Sequence, residues 1–503
     1  MQLPRDLTLG KEKNMKNEVQ LITYVDRLSG GGFNQLNNLL KGPLSEVFSG
    51  AHLLPFFTPI DGADAGFDPV DHTQVDARLG IWEDVRKLAE TVELVADLIV
   101  NHVSSSSPQF LDYSKNGDAS EYAGMFLTWD RVFPQGAKEP DILSIYRPRP
   151  TVPFSPLMLL SGEKKLFWTT FNPEQIDIDV RHPRAEAYLD SILQKFQTAG
   201  VKMIRLDAVG YAIKKPGTSC FMIPETFDFI AELTEKARTL GIEVLVEIHS
   251  HYQKQVEIAR RVDWVYDFAL PPLVLHALFN ADSRPLAKWL SISPRNAVTV
   301  LDTHDGIGVI DVGADDVDGT PGLLAPEEID NLVETIHKKS NGQSKKATGA
   351  AANNLDLYQV NCTFLDALGG KETDYLIARA IQFFTPGIPQ VYYMGLLGGL
   401  NDMELLEETK VGRDINRHYY TNEEIETALK QSLVQKLIEL IRLRNTHPAF
   451  GGEFHVEAPE QNLIEMKWEK SEHWINLSID LSVPAASITG TDLAGEIKYD
   501  YTG

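Results

Sequence analysis

The chain has 503 residues, with 47 lysines and arginines against 71 aspartates and glutamates, which gives a formal net charge of −24 at pH 7. This acidic balance repels phosphate backbones and anionic lipids, so we expect no nucleic-acid partner and no membrane partner. Hydrophobic residues make up 43% of the chain and charged residues 23%, which is typical of folded globular proteins and excludes disordered and coiled-coil classes.

Neither the cysteines nor the N-terminus indicates export. Cys220 and Cys362 are too few for a disulfide framework or a zinc site, so we expect two reduced thiols in the core. Residues 1–14 lack the apolar core of a secretory signal, and we interpret them as an N-terminal extension. The apolar stretch 376–400 contains an arginine and two prolines, which argues against a membrane helix. We therefore expect a cytoplasmic protein.

Eight short apolar runs, separated by helical patterns, are typical of buried parallel strands. They are 19–23, 51–54, 94–100, 203–206, 244–248, 264–266, 297–301 and 391–393. One of the helical patterns begins at Pro183 and ends before Gly200, with the residues that favour those two positions. Strands alternating with helices predict the α/β class and a (β/α)8 TIM barrel, with a doubly wound sheet as the alternative.

Two intervals between strands are too long for ordinary loops, and the periodicity changes near the end of the chain. We assign residues 15–100, 180–305 and 372–449 to the barrel, residues 101–179 to an insertion B after strand 3, and residues 306–371 to an insertion B′ after strand 7. Residues 450–503 alternate apolar and polar side chains, which predicts a small C-terminal antiparallel β domain.

Acidic residues follow three of the predicted strands. Arg205 and Asp207 lie two positions apart, so both side chains face the same side, and we expect the arginine to keep the carboxylate ionised. Glu247 follows strand 5, and His304 and Asp305 follow strand 7. A single acid would more often be a solvated rim residue, whereas several at a barrel mouth suit glycosyl transfer, in which one attacks the anomeric carbon and another protonates the leaving oxygen.

Four motifs, in this order, resemble those of the α-amylase-like glycoside hydrolases. They are DLIVNH at 97–102, RLDAVGY at 205–211, VEIHS at 246–250 and DTHDG at 302–306. Further segments are similar to the sucrose phosphorylase family, namely GADAGFDPVDH at 62–72, IYRPRP at 145–150, YDFALPPL at 266–273, LDLYQVN at 355–361 and GRDINRHYY at 412–420. The similarity runs from Met15 to near the C-terminus and is absent from residues 1–14.

The resemblance implies a reversible retaining phosphorolysis of sucrose that needs no cofactor and no metal. Asp207 would be the nucleophile that forms a β-glucosyl-enzyme, Glu247 the general acid and then base, and Asp305 the stabiliser of the transition state. Fructose would leave first, and inorganic phosphate would then attack to give α-D-glucose 1-phosphate.

The resemblance also implies where the substrates bind. Residues that match substrate-binding positions of the family are Asp64, Phe67, His102, Phe171, Gln175, Arg205, His304, Asp356, Gln359 and Arg413. Residues that match phosphate-binding positions are Arg149, His249 and Tyr358. In this family two loops are thought to exchange, so that Asp356 would serve the fructose stage and Arg149 with Tyr358 the phosphate stage.

Several alternatives stay open. A related phosphorylase of sucrose 6-phosphate or glucosylglycerol, a sucrose hydrolase or transglucosidase, and an inactive barrel used as a sugar sensor share much of this pattern. Tyr358 favours sucrose over its 6-phosphate. Asn101 matches a position that holds calcium in many amylase relatives, but no acidic cluster accompanies it, so we predict no structural metal. A monomer and a homodimer both fit.

Overall fold

The structure, a computed structural model, describes residues 15–61, 64–148, 152–315, 319–348, 359–492 and 495–502. Eight parallel strands close into a barrel, each paired with its neighbours in the chain and the eighth with the first. These barrel strands 1 to 8 are Gln20–Thr23, Gly50–Leu53, Glu93–Ile99, Val201–Asp207, Glu243–Val246, Trp264–Asp267, Ala297–Thr299 and Ile388–Tyr392. The predicted (β/α)8 barrel is confirmed, and the doubly wound alternative is wrong.

The longer helices begin and end where the sequence supplies the appropriate residues. Helix Pro183–Ala199 starts on a proline, whose fixed φ suits the first helical position, and Gly200 ends it in the left-handed region at φ 81°. The helices of eight or more residues are Phe33–Lys41, Trp82–Ala89, Pro108–Asn116, Pro183–Ala199, Pro224–Thr239, Tyr252–Ala259, Leu270–Asn280, Arg284–Ile292, Pro326–Lys339, Glu372–Phe384 and Ser432–Thr446.

Shorter helices and turns connect these elements. The short α-helices are Val25–Ser29, Trp129–Val132, Glu139–Leu143, Gln343–Thr348, Phe364–Ala367, Tyr393–Leu396, Met403–Thr409 and Asn422–Ala428. The 3₁₀ helices are Gly117–Ala119, Val209–Tyr211, Ile310–Val312, Gly412–Asn416 and Pro448–Gly451. Two of them, Val209–Tyr211 and Gly412–Asn416, carry motif residues that the sequence predicts at the site.

The long segments after barrel strands 3 and 7 contain small sheets of their own. After strand 3, His102–Ser104 pairs with Gln175–Asp177, and Phe154–Met158 pairs with Lys164–Trp168. After strand 7, Ile307–Gly308 pairs with Gln359–Val360. A further pair, Phe57–Thr58 with Asp71–Val75, follows strand 2. The two inserted units are therefore confirmed, while the domain boundaries given above stay a prediction.

The chain ends in a five-stranded antiparallel sheet, as its alternating pattern predicts. Its strands are Glu453–Glu457, Leu463–Lys470, His473–Asp480, Ala485–Asp492 and Gly495–Thr502, paired in that order. The apolar members of the alternation, such as Ile464 and Leu477, are buried, and each contributes about 1.5–3 kcal/mol by leaving water. Trp468 Nε1 donates to the Phe384 carbonyl at 2.7 Å, which fixes this sheet against helix Glu372–Phe384.

Both cysteines are buried free thiols, as predicted. The apolar stretch 376–400 is shared between helix Glu372–Phe384, barrel strand 8 and helix Tyr393–Leu396. In the ranges that the structure describes, no helix has the length and apolar character needed to cross a membrane.

Candidate active site

A pocket of about 740 Å³, including its open mouth, lies at the carboxyl ends of the barrel strands. Its lining consists of Asp64, Phe67, His102, Tyr146, Phe171, Asp207, Ala208, Gly210, Tyr211, Phe221, Glu247, Ile248, His249, His304, Asp305, Gln359 and Arg413. All three predicted catalytic carboxylates are in this set, together with most of the predicted binding residues. Three predicted residues, Arg149, Asp356 and Tyr358, lie outside the described residues, as does the predicted extension 1–14.

Arg205 lies buried beneath the pocket and contacts three carboxylates. Its Nη1 contacts Asp97 and lies 2.9 Å from Asp207 Oδ1, and its Nη2 lies 3.1 Å from Glu247 Oε1. The backbone after the predicted nucleophile turns into the left-handed region at Ala208, with φ 52°, and its N–H donates to Glu247 Oε2 at 3.2 Å. The predicted nucleophile and the predicted acid are therefore positioned by one cation and one backbone turn.

The expectation that Arg205 keeps Asp207 ionised is wrong for the empty pocket. Burial raises the pKa of Asp207 well above its ordinary value, and the neighbouring Glu247 and Asp97 reinforce this effect against Arg205. The arginine cannot offset burial because its charge is shared among three carboxylates. Asp207 therefore keeps a proton to higher pH than an ordinary aspartate, in a pair of acids that titrate together.

Asp305 has the opposite electrostatic environment. Burial raises the pKa of this carboxyl, but Arg413, His304 and Arg417 together lower it well below its ordinary range. Arg413 Nη1 lies 3.0 Å from Asp305 Oδ1 and 3.9 Å from Asp64 Oδ1, while Arg417 Nη2 lies 4.0 Å from Asp305 Oδ1. Asp305 is thus a fixed negative charge, which suits the stabilisation of a cationic transition state.

Sequence reasoning missed Arg417, although the motif GRDINRHYY contains it. Its Nε donates to the His304 carbonyl at 2.9 Å, so it holds the backbone next to Asp305 from behind. Arg413 and Arg417 are four positions apart around the 3₁₀ helix Gly412–Asn416, and this spacing is the signal from which both could have been assigned to one carboxylate.

One wall of the pocket combines an apolar face with neutral imidazoles. Phe67 stacks on His304, with ring centroids 4.7 Å apart and planes at 11°, and His102 Nε2 lies 2.9 Å from the Phe67 carbonyl oxygen. Burial lowers the pKa of both histidines, so each is a neutral hydrogen-bonding group. Gln175 is just behind this wall, with Nε2 3.5 Å from Asp64 Oδ2.

The facing wall is a run of aromatic rings. Phe171 packs edge-on to Tyr211 with ring centroids 5.3 Å apart, Tyr211 lies 4.6 Å from Phe221, and Phe221 stacks on Tyr146 at 4.5 Å. The sequence predicted Phe171 alone, although Tyr146 and Tyr211 are inside the quoted motifs IYRPRP and RLDAVGY. Aromatic faces of this kind pack against the apolar faces of sugar rings.

Phe221 carried no sequence signal, because its position depends on the backbone beside it. Its neighbours Cys220 and Met222 both adopt the left-handed conformation at φ 52°, which non-glycine residues rarely occupy and which costs about 1 kcal/mol or more at each position. Packing of the surrounding chain must maintain this strain, and its effect is to direct Phe221 into the pocket.

The predicted phosphate-binding residue His249 lies next to the predicted acid. Its Nε2 is 4.0 Å from Glu247 Oε1 and 3.4 Å from Gln359 Nε2, and its Nδ1 is 3.2 Å from Asp311 Oδ2. Gln359 Oε1 accepts from the Gly306 N–H at 3.2 Å, which fixes the direction of the amide. His249 and Gln359 are therefore brought together at the acid side of the pocket.

The Lys214 ammonium group occupies the place beside Asn101 where a calcium ion was considered. Lys214 Nζ lies 2.8 Å from Asn101 Oδ1 and 2.6 Å from Asp177 Oδ2, and it also donates to the Tyr211 carbonyl. The Lys214 and Asp177 side chains are fully buried. In the described part of the chain, no group of three or more histidine, cysteine, aspartate or glutamate side chains is placed to hold a metal ion.

Comparisons with known proteins agree with this geometry. Residues 47–270 match the family model described as the α-amylase catalytic domain. The chain is 61% identical to a sucrose phosphorylase from Agrobacterium vitis over 97% of this chain and 99% of the relative. It is 51% identical to a sucrose phosphorylase from Bifidobacterium adolescentis over 97% of this chain and 98% of the relative.

A solved structure is similar over the same extent. The crystal structure of the sucrose 6F-phosphate phosphorylase from Thermoanaerobacter thermosaccharolyticum superposes with a TM-score of 0.88 at 40% identity, over 96% of this chain and 98% of that one. The family model, the full-length relatives and the arrangement of the carboxylates agree, and the chain belongs to the sucrose phosphorylase family of α-amylase-like enzymes.

Proposed function

We propose that the chain catalyses the reversible phosphorolysis of sucrose to α-D-glucose 1-phosphate and D-fructose, with retention, through a β-glucosyl-enzyme. The observation that carries this proposal is the contact of one guanidinium, that of Arg205, with both Asp207 and Glu247. Its support from the comparisons is the 61% identity to the Agrobacterium vitis sucrose phosphorylase. A retaining displacement needs a nucleophile and an acid close to each other on one bond.

The first displacement requires Asp207 to lose its proton. Glu247 is the acceptor placed for it, because both carboxyls contact the same guanidinium. Asp207 then attacks the anomeric carbon, the bond from that carbon to the fructose oxygen breaks, and Glu247 gives its proton to the departing oxygen. The Asp305 carboxylate stabilises the oxocarbenium-like charge as it develops.

The second displacement reverses these roles. A phosphate oxygen attacks the anomeric carbon of the glucosyl-enzyme, Asp207 leaves as a carboxylate, and Glu247 takes the proton from the attacking phosphate. His249 beside Glu247 is the described residue best placed to meet phosphate. We assign Arg149 and Tyr358 to the phosphate stage and Asp356 to the fructose stage on the strength of the sequence motifs.

The remaining pocket residues hold the glucose ring in this proposal. Phe67 and Phe171 supply apolar faces, and charged or neutral donors and acceptors surround the ring hydroxyls. The polar residues in this role are Asp64, His102, Gln175, Arg205, His304, Gln359 and Arg413. No cofactor takes part in the proposed reaction, and the cytoplasm is its proposed location. The assembly is a monomer or a homodimer, which a sedimentation measurement would distinguish.

A related substrate is the main alternative. The solved structure with a TM-score of 0.88 is named as a sucrose 6F-phosphate phosphorylase, at 40% identity, whereas the relatives named as sucrose phosphorylases reach 51% and 61%. The higher identity favours sucrose. Glucosylglycerol as substrate, hydrolysis and transglucosylation differ only in which molecule accepts or leaves on the acceptor side.

The decisive experiment incubates the purified protein with sucrose, with and without inorganic phosphate, and assays three products separately. We expect phosphate-dependent α-glucose 1-phosphate formed one-for-one with fructose. Intact sucrose would contradict the proposal and direct the assay to sucrose 6-phosphate and glucosylglycerol. Free glucose and fructose alone would identify a hydrolase, and no turnover of any of these substrates would support an inactive barrel.

A further inference from the structure

Asp311 is a buried carboxylate in the segment after barrel strand 7, and it faces the loop after strand 5. Its Oδ1 accepts from the Ser250 N–H at 3.1 Å and from Gln255 Nε2 at 2.8 Å. Its Oδ2 lies 3.2 Å from His249 Nδ1. The first two bonds fix the carboxylate independently of the histidine, so the acceptor that His249 Nδ1–H meets is already in place.

The imidazole of His249 is fixed on its other sides as well. It stacks on Phe268 with ring centroids 3.9 Å apart and planes at 16°, and its Nε2 is directed towards Glu247 and Gln359. Because Nδ1 donates to Asp311, a neutral ring presents Nε2 as an acceptor for the Gln359 amide N–H. A protonated ring presents an N–H donor at the same point.

The backbone between the two residues is shaped for their contact. A Cβ at Gly308 would lie 3.0 Å from Asp311 Oδ2 and 3.4 Å from His249 Nδ1. Gly308 belongs to the short strand that pairs with Gln359–Val360. The same two-stranded sheet therefore carries Gln359 on one strand and leaves room for the histidine–carboxylate contact on the other.

We propose that Asp311 is a positioning residue for the phosphate stage, acting through His249 so that its Nε2 switches from acceptor of the Gln359 amide to donor for phosphate. This inference rests on the proposed phosphorolysis. The negative charge behind the ring compensates the imidazolium, so the proton that His249 gains when the phosphate anion arrives is retained. Asp311 itself touches no substrate.

The charges around His249 favour this behaviour. Burial lowers the pKa of the imidazole, but Asp311, Glu247 and Asp305 outweigh burial and raise it above its ordinary value. These three carboxylates come from the segment after strand 7, the end of strand 5 and the end of strand 7. Gln359, from the facing strand, is neutral and adds no opposing charge.

The first test measures His249 in the full-length wild-type enzyme by NMR with labelled histidine, assigned with His249→Gln. We expect its pKa to lie above the ordinary value of about 6.5 and to rise further when inorganic phosphate is added. Since this test needs no variant of Asp311, it is independent of whether such a variant folds. A pKa below about 6.5 with and without phosphate would overturn the inference.

The second test uses Asp311→Asn, with Asp330→Asn as the matched control because Asp330 is an exposed carboxylate of the same segment. We expect the kcat/KM for phosphate to fall on the order of tenfold or more, as for the loss of one charge-assisted hydrogen bond. Fructose release from sucrose without phosphate should change less than about threefold. The pH profile of the phosphate stage should shift to lower pH.

The double variant His249→Gln, Asp311→Asn separates positioning from general damage. If Asp311 acts only through His249, adding Asp311→Asn to His249→Gln causes no further loss in the phosphate stage. Gly308→Ala disturbs the same contact without removing a charge and should weaken phosphate use in the same direction. Additive losses in the double variant would overturn the inference. Absence of phosphorolysis in the wild type would instead contradict the proposed function.

Discussion

Arg205 and Asp97 are register partners in the parallel ladder between barrel strands 4 and 3, and both side chains are buried. The pairing brings the guanidinium onto Asp97 as well as onto Asp207. Asp97 also contacts His52 Nε2 at 3.1 Å. The cation under the pocket is therefore partly neutralised from behind, and this is why it does not hold Asp207 ionised in the empty enzyme.

Asp97→Asn tests this buried ion pair through the pH dependence of stability. Burial acts to raise the pKa of Asp97, but Arg205 and His52 lower it to about 2 from an ordinary 3.8. Since the folded pKa lies below the unfolded one, the ionised group stabilises the fold above about pH 4, and this contribution is lost as the pH falls through 2. The shift corresponds to about 2 kcal/mol.

The measurement is urea unfolding of the wild type and Asp97→Asn between pH 6 and pH 2. We expect the variant to be less stable at pH 6 and the difference in the free energy of unfolding to narrow by about 2 kcal/mol towards pH 2. Asp330→Asn, at an exposed side chain, should show no such narrowing. A difference that stays constant over this range would contradict the assignment of the low pKa to Asp97.

Asp207→Asn should remove turnover and leave sugar binding intact. An amide cannot form the glucosyl ester, so we expect kcat for sucrose to fall on the order of 10⁴-fold or more. Binding measured by calorimetry should change little, because Phe67, His102 and Arg413 remain in place. Asp118→Asn is a suitable control, since that side chain is 93% exposed. Retention of a few per cent of wild-type kcat would exclude Asp207 as the nucleophile.

All eight barrel strands were predictable, because a strand buried on both faces is a continuous apolar run. The start of strand 8 was not. The sequence predicts it from residue 391, whereas the strand runs Ile388–Tyr392 and includes Pro389, which pairs with Thr299. A proline inside a central strand contradicts the usual pattern, and the tertiary closure of the barrel overrides that local preference here.

The site was predictable where its residues follow strands and less so where two loops meet. Asp207, Glu247 and Asp305 could be placed in one pocket from topology alone, because parallel strands end at the same rim. The contacts of Arg417 with the strand-7 loop and of Lys214 with Asn101 join segments far apart in the chain. A single sequence contains no signal for such pairs, so their partners emerge only from the fold.

Lys214→Met tests whether the buried ammonium joins the insertion after strand 3 to the loop after strand 4. The substitution leaves the Asp177 carboxylate buried with no cation beside it, and we expect a loss of about 3–5 kcal/mol in the free energy of unfolding. Lys215→Met is the matched control, because that neighbouring lysine is 54% exposed and pairs with Glu225 at the surface. The control should lose about 1 kcal/mol or less.

The same pair of variants tests the metal prediction. If the ammonium fulfils the structural role of a cation, the wild-type Tm should not change with EDTA or with added calcium. A fall in Tm on adding EDTA would show that a metal ion stabilises the protein at another place. Equal stability of Lys214→Met and Lys215→Met would show that the buried contacts of Lys214 contribute nothing measurable.

Gln359→Glu should separate phosphorolysis from hydrolysis. The new carboxylate keeps the acceptor for the Gly306 N–H but places a negative charge where the amide lies 3.4 Å from His249 Nε2. Repulsion between two charges at this range is worth about 1–4 kcal/mol, so kcat/KM for phosphate should fall about tenfold or more. Water carries no charge, and fructose release without phosphate should change less than about threefold.

The measurement is the ratio of free glucose to α-glucose 1-phosphate formed from sucrose at fixed phosphate, and we expect this ratio to rise in Gln359→Glu. Raising the salt concentration should reduce the difference from the wild type, because the effect is electrostatic. Gln461→Glu, which adds the same charge at an exposed position, should leave the ratio unchanged. If Gln359→Glu lowered phosphorolysis and hydrolysis equally, the damage would lie in formation of the glucosyl-enzyme, and the phosphate would have to bind away from Gln359.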